Sequence, residues 1–425
     1  GLDDKVCRVL RLMHRTSMSS GYGLGEMNSE AHYRAARQIG ADGIVLLKNE
    51  GGILPLKGQG LKILVVGENA IKMMTVGGGS SSLKVQREIS PLDGIRQRAA
   101  IDEDSVMYAR GYVGDIGGSY NGVRTGQDLS DTRSPQELIQ EAAQLASQAD
   151  YVLFFGGLNK SNHQDCEGLD REEYGLPYGQ DDLIEALSKV SNKLIFVNIS
   201  GNPVAMPWRS RVAAIVQGWF IGSEAGNALA DVLLGKVNPS GKLPFTWYED
   251  LNDCAAHALN TYPGTWRTDD SKIIDEEYKE GVFVGYRWTD RQRRRPAFAF
   301  GHGLSYTTFS LSKAVADKKE ITEADNITFT VSVKNTGAVA GAEVVQLYVA
   351  DKKASVERPL KELKAFQKVF LQPGESRDVQ LTVGRDALSF YDEATASWKA
   401  EPGEFEALIG TASDKITGKV KFILK

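Results

Sequence analysis

Asp165, Glu167, Asp170 and Glu172 place four carboxylates within eight residues, with Cys166 and Arg171 among them. A carboxyl group crowded by other carboxylates and partly removed from water has its pKa raised, as a general acid at neutral pH requires. The run follows Tyr151–Phe155 (YVLFF), which reads as a buried strand ended by Gly156-Gly157. Open α/β sheets bind ligands beyond the C-terminal ends of their strands, so the loop lies where a site is expected. The competing reading is a solvated acidic surface loop tied down by Arg171.

Val76–Ser82 (VGGGSSS) is a second loop with chemical content. Its three glycines allow the backbone to come close to a ligand. It lacks the lysine and spacing of a phosphate-binding loop, which argues against a nucleotide, and a plain flexible connection is the alternative. His163, Asp165 and Cys166 fit no zinc spacing, so no metal is expected. Trp208, Trp219, Trp247 and Trp266 could supply a stacking platform for a ligand, although most aromatic side chains belong to cores.

These loops need elements to hold them. Residues 3–15 (DDKVCRVLRLMHR) repeat Val6, Val9, Leu10 and Met13 at helical spacing, ahead of a glycine-rich stretch at 21–25. Asn28-Ser29-Glu30 reads as an N-cap for a helix reaching about Ile39. Strands then alternate with helices: Leu61–Val66; helix Pro135–Ala149 into strand 151–155; helix Asp181–Val190 into Leu194–Ile199; Ala213–Trp219 into helix Glu224–Leu234. Apolar strands in that alternation predict a mostly parallel sheet covered on both faces, spanning 28–250. Residues 251–310 show no clear period and read as a linker or wrapping segment. From 311 to 425 the character is all-β: Asn326–Val333, Glu343–Val349, Phe366–Leu371, Val379–Val383 and Phe405–Ile409, with a turn at Pro373-Gly374-Glu375. Such spacing predicts a β-sandwich of immunoglobulin or fibronectin type III character.

At 425 residues the chain is too long for one core. Its 42% hydrophobic and 25% charged residues are those of an ordinary globular protein. A net charge of −5 argues against a nucleic-acid or anionic-membrane partner. The basic knot at 291–295 (RQRRR) reads as a solvated loop. No apolar run is long enough to cross a bilayer, and no signal peptide opens the chain, although Gly1 does not look like a natural start. Three widely spaced cysteines, Cys7, Cys166 and Cys254, imply no disulfide framework.

Five runs in a fixed order carry a resemblance: Gly43–Glu50 (GIVLLKNE) leading to Ile53–Leu56 (ILPL), Glu167–Arg171 (EGLDR), Asn238–Pro244 (NPSGKLP), Glu280–Arg287 (EGVFVGYR) and Phe300–Tyr306 (FGHGLSY). Together they make the chain similar to the C-terminal part of the glycoside hydrolase family 3 β-glucosidases. His302 stands where that family's closing motif has Tyr. The resemblance implies a TIM-type barrel, then an α/β sandwich, then a fibronectin type III-like domain. Residues 1–27 then correspond to the last barrel helix and a linker, and the apolar face of that helix predicts association with a barrel or with another copy.

The resemblance further implies retaining hydrolysis by two carboxylates about 5–5.5 Å apart. Glu167 matches the family's general acid/base, its protonation coming from the nearby nucleophile's charge and from partial burial. The aspartate nucleophile belongs to the barrel, and no stretch of this chain matches it. Asp170 and Arg171 hold the loop; Asp165 and Glu172 are lesser candidates for the acid; Gly78, Gly79 and Ser80 lie near the sugar site. No cofactor is implied. The implied substrate is a β-linked glucoside or short oligosaccharide, with a β-xylosidase or another exo-β-glycosidase as the alternative. A non-catalytic carbohydrate-binding or scaffolding module is the alternative of another class. Secretion or periplasmic residence is implied by the family alone.

Overall fold

The computed structural model describes residues 1–16, 25–58, 60–76, 78–98, 105–114, 126–268 and 273–425. The chain divides into two compact units, Gly1–Ala35 and Ala36–Lys425. In the first, helix α1 (Leu2–Thr16) carries Asp3 and Asp4 in its first turn and His14 and Arg15 in its last, each sign matching the helix dipole. Arg8 bridges to Asp4 at 2.9 Å. Ser29 caps α2 (Glu30–Gly43), its hydroxyl accepting from the His32 amide. Residues 21–24 of the glycine-rich stretch lie outside the described residues.

The second unit begins within α2, at Ala36, and continues into a six-stranded sheet. It comprises β1 (Val45–Asn49), β2 (Ile63–Val66), β3 (Val106–Ala109), β4 (Tyr151–Gly157), β5 (Leu194–Ile199) and β6 (Ala214–Gln217). Their order is β1-β6-β5-β4-β2-β3, all parallel except β1, which pairs antiparallel with β6 at the edge. The strands are largely apolar because both faces are covered, with Asn198 and Gln217 near the ends of β5 and β6 as buried polar exceptions. Val65, Leu153, Phe155 and Val197 pack on one face with α3 (Pro91–Arg98) and α6 (Ala225–Leu233). Leu64, Val66, Phe154 and Phe196 pack on the other with α4 (Pro135–Ala146) and α5 (Gln180–Val190). Ser134 and Glu137 form a reciprocal capping box at the start of α4, with Pro135 in its first turn.

In the α/β part, three elements escaped the periodicity reading: β1, β3 and α3. β3 is only four residues long. α3 carries Gly94 where a better helix former is expected, because α3 crosses α6 at backbone contact. A Cβ on Gly94 would meet the Gly226 carbonyl oxygen at 2.1 Å, and one on Gly226 would meet that of Ser90 at 2.0 Å.

Residues 251–310 form α7 (Ala255–Ala258), a hairpin of β7 (Thr265–Trp266) and β8 (Ile274–Asp275), and α8 (Tyr286–Gln292). The chain then bonds back onto the α/β lobe: Trp247 and Phe298 exchange backbone bonds, and the Leu304 amide donates to the Leu46 carbonyl at 2.8 Å. His302 holds the same edge, its Nε2 2.9 Å from the Leu47 carbonyl oxygen and its ring stacked on Phe298.

The remainder is an all-β sandwich. The short strands β9 (Phe309–Leu311), β10 (Val315–Ala316) and β11 (Glu320–Ile321) precede the long β12 (Ile327–Asn335), β13 (Gly341–Asp351), β14 (Glu362–Leu371) and β15 (Ser376–Val383). After α9 (Arg385–Leu388) comes a hairpin of β16 (Phe390–Asp392) and β17 (Ser397–Lys399), then β18 (Gly403–Ala412) and β19 (Lys415–Leu424). One sheet runs β10-β12-β15 with β9 beside β12; the other runs β11-β19-β18-β13-β14. Phe329, Leu347, Leu381, Phe405 and Phe422 fill the space between them. The α/β and all-β parts meet at Tyr286, whose ring stacks on Phe300 at 4.9 Å and stands edge-on to Tyr348 at 5.8 Å. A Lys242–Glu343 ion pair of 2.6 Å spans the same seam.

Candidate functional site

Parallel strands whose order reverses leave a crevice at their carboxyl ends. Here the reversal lies between β2 and β4: the chain leaves β2 outward to β3, then returns to β4 on the other side. The loops after β2, β4 and β5 converge above that point. They enclose a cleft of about 700 Å³ lined by Ser80, Asp165, Glu167, Asp170, Arg171 and Asn202 among others.

The loop after β4 is fixed at its base by Gln180, which is fully buried. Its amide nitrogen donates to the Gly157 carbonyl, and its amide oxygen accepts from the Gly157 N–H, both at 2.8 Å. Further along, the Asp165 carboxylate accepts from the Gly201 N–H at 2.7 Å and from the Asn202 side chain, tying the loop to the end of β5. Burial pushes the Asp165 carboxyl up, against the pull of the Gly201 bond and the charges of Arg171 and Lys160.

Glu167 comes next and points the other way, toward the loop after β2. Its N–H donates to the Gly78 carbonyl at 2.7 Å. Its Oε2 accepts from both the hydroxyl and the N–H of Ser80, each at 2.6 Å. Oε1 accepts no hydrogen bond from the described residues. Gly79, at φ +117°, permits this approach: a Cβ there would lie 2.4 Å from that of Glu167. Gly77 lies outside the described residues.

The electrostatics differ from the expectation for Glu167. It is exposed, and the two bonds from Ser80, the hydroxyl's first, hold its carboxyl below the ordinary value. The carboxyl raised by burial is Asp165 instead. The two environments separate their roles, since Asp165 spends its oxygens on Gly201 and Asn202 while Glu167 keeps one free beside the cleft.

Asp170 and Arg171 are not paired with each other. The Tyr262 hydroxyl donates to the Asp170 carboxylate, which pushes the phenol up to about 12. Arg171 donates to the Pro203 carbonyl at 2.6 Å and lies over the Tyr174 ring. Glu172 is exposed, 3.7 Å from His163. His163, Asp165 and Cys166 do not converge: the Cys166 thiol turns to the Leu169 carbonyl, and among the described residues no three His, Cys, Asp or Glu side chains are set to hold a metal.

Sequence reasoning missed Tyr174, Asn202, His257 and Tyr262, all of which line the cleft. The last two come from 251–310, and the tyrosine content of that stretch was the available signal; Asn202 follows from applying the strand-end rule to β5. The four tryptophans singled out lie elsewhere. Trp208 and Trp247 are core, the Trp219 indole donates to the Gly43 carbonyl, and Trp266 sits on β7.

Residues 44–306 match the description "Glycosyl hydrolase family 3 C-terminal domain", and 343–413 match a fibronectin type III-like domain. The chain is 47% identical over 99% of its length to a beta-glucosidase of Bacteroides ovatus, of which it covers 55%. It is 41% identical over 98% of its length to the thermostable beta-glucosidase B of Acetivibrio thermocellus, of which it covers 52%. It thus spans about half the length of these curated relatives. Among solved structures, a family 3 beta-glucosidase of Bifidobacterium adolescentis superposes with a TM-score of 0.84 at 33% identity, over 98% of this chain and 56% of that one. A beta-glucosidase of Kluyveromyces marxianus in complex with glucose gives 0.83 at 27%, over 98% and 65%.

Proposed function

The chain belongs to glycosyl hydrolase family 3, and on that footing we propose that it is the portion of a retaining β-glucosidase that carries the general acid/base, Glu167. Its substrate is a terminal non-reducing β-D-glucosyl residue of a short oligosaccharide or an aryl glucoside. The aspartate nucleophile comes from a barrel domain that packs over the cleft, outside this chain. The observation that supports the reading is the Glu167 carboxylate, anchored through Oε2 and open through Oε1 at the switch point of the sheet.

The reaction proceeds in two halves. The nucleophile attacks the anomeric carbon while Glu167 gives its proton to the departing oxygen, so the C–O bond breaks and the leaving group departs as an alcohol. Glu167, now a carboxylate, takes a proton from water as that water attacks the glycosyl-enzyme. Ser80 orients the carboxyl in both halves. Its bonds favour the ionised form, so the proton needed at rest must come from elsewhere: the nucleophile's negative charge, placed about 5–5.5 Å away, raises the Glu167 pKa once the barrel is docked. Asp170, braced by Tyr262, and Arg171, braced by Pro203, fix the loop. Gly78 and Gly79 let it approach Ser80.

The test is hydrolysis of an aryl β-glucoside by this 425-residue chain, alone and with the barrel domain added, beside the aryl β-xyloside. Silence alone with activity on mixing is expected. Glu167→Gln should then cost about 10²–10⁴-fold on glucosides with poor leaving groups. In kcat/KM, which reports the first half, the loss should be far smaller on dinitrophenyl glucoside, whose oxygen needs no proton to depart; kcat should still fall, because the second half has lost its base. Activity of the chain alone would place the nucleophile within it and overturn the reading; preference for the xyloside would change the substrate.

A further inference from the structure

A second cleft, of about 650 Å³, lies on the all-β part between the β16–β17 hairpin and the chain at Arg287. The proposed hydrolysis uses none of its residues. Tyr391 and Trp398 stand directly opposite each other across the hairpin, 50% and 60% exposed, their rings 5.7 Å apart in an edge-to-face arrangement. Neither ring belongs to the sandwich core.

The platform is built rather than loose. Asp392 closes the turn by accepting from the Ala394 N–H and the Thr395 hydroxyl. Arg385 donates to the Trp398 carbonyl at 2.8 Å. Beneath, Arg358 (side chain 9% exposed) donates to the Leu388 carbonyl and lies over the Phe390 ring. Side chains ordered in advance reduce the entropy lost on binding.

Charge narrows the ligand. Arg358 is bridged to Asp351 and Glu362, and Arg287 and Lys364 also reach Glu362, so each cation of the floor already has a carboxylate partner. The rim carries the carboxylates Asp392 and Glu393, with Glu357 beside them bridged by Arg291 at 2.9 Å. A two-fold contact between copies would set that rim against itself, like charge on like. A neutral polyol suits both parts, with carboxylates accepting from its hydroxyls and ring faces covering its C–H surface. In β-linked glucose every ring substituent is equatorial, so both faces show only C–H and the hydroxyls lie at the edge. Trp398 also borders a neighbouring cavity of about 380 Å³ that includes Arg385, Asp386 and Ser389, which lets an occupant continue past the indole.

We infer that this cleft binds a neutral β-linked glucan chain, one sugar ring stacked on Trp398. The sugar's identity rests on the substrate proposed above; the apolar-face, polar-edge chemistry does not. A glucan held here raises the local concentration of chain ends for the enzyme.

Calorimetric titration of the 425-residue chain with cellohexaose tests it, on variants shown by circular dichroism to be folded. Saturable binding is expected, weakened about tenfold or more by Trp398→Ala and by Tyr391→Ala, and unchanged by Trp266→Ala, which removes an exposed indole outside the cleft. Equal affinity in all variants, or no binding, overturns the inference, as does a dimer in sedimentation that Trp398→Ala dissociates. Preference for xylohexaose overturns the glucan assignment. Trp398-dependent cellohexaose binding beside a full-length enzyme inert on aryl β-glucoside supports this site while removing the proposed activity.

Discussion

Two carboxylates two residues apart illustrate how little sequence proximity says about charge state. Asp165 is desolvated and raised; Glu167 is exposed and lowered by Ser80. Removing the Ser80 hydroxyl, the larger of the two effects, should therefore raise the Glu167 pKa even with the Ser80 N–H still in place, since hydrogen bonds to the ionised form favour that form. In Ser80→Ala, the side-chain carboxyl carbon of Glu167 should titrate at higher pH by NMR. In the full-length enzyme the basic limb of kcat/KM should move to higher pH; an unchanged or lower pKa would show that Ser80 does not set it. His302 makes a second residue-scale prediction. Burial pushes its imidazole down to about 4, against an ordinary value near 6.5. Between those values the unfolded chain binds a proton that the folded chain refuses, so stability falls as pH drops through that window. The melting temperature should drop between pH 6.5 and 4.5, and His302→Gln should reduce the drop.

Elements position the site by their ends and crossings. The β4 loop is fixed at three points, Gln180 at its base, Asp165 on β5 and Glu167 on the β2 loop, so displacing one should loosen the others. Gly79→Ala adds a methyl where the Glu167 side chain already lies, at a φ that alanine resists. It should break the Ser80–Glu167 contact and cost activity in the full-length enzyme with little change in melting temperature. The α3–α6 crossing works through backbone rather than side chains. Gly226→Ala places a methyl against two carbonyl oxygens, of Ser90 and Ile89, that cannot rotate away. It should destabilise the chain by about 1–3 kcal/mol in urea unfolding.

At the scale of the whole molecule, the α/β and all-β parts share one compact unit, and the seam between them is buried and polar as well as aromatic. The Tyr348 hydroxyl donates to the Gln346 amide oxygen at 2.5 Å, and the Gln346 amide nitrogen reaches the Gly301 carbonyl. Tyr348→Phe leaves a buried acceptor unpaired and should cost about 1–3 kcal/mol. If the parts unfold cooperatively, near-UV and far-UV circular dichroism should shift together in that variant; separate transitions would show a seam too weak to couple them.

The sequence by itself determined the α/β core, the change to all-β character and the two loops that meet at Glu167. Apolar runs broken by glycine, and period-two alternation such as Ile327–Val333, are local patterns that burial imposes on any chain. It also carried the family, because five ordered runs survive as text. It did not reveal α3, whose Gly94 lowers helix propensity for the sake of a distant partner, nor β3, an edge strand whose Met107 and Tyr108 are only half-buried, unlike the fully buried runs of β2 and β6. It ranked Glu167 above Asp165 by resemblance but did not reveal which carboxyl is raised and which lowered, since desolvation and the Ser80 bonds depend on residues far along the chain. Tyr262, His257 and Asn202 joined the cleft for the same reason. Local pattern is set by a residue's own neighbours in the chain; a site's shape and charge are set by what the fold brings beside it, and only the tertiary structure decided that.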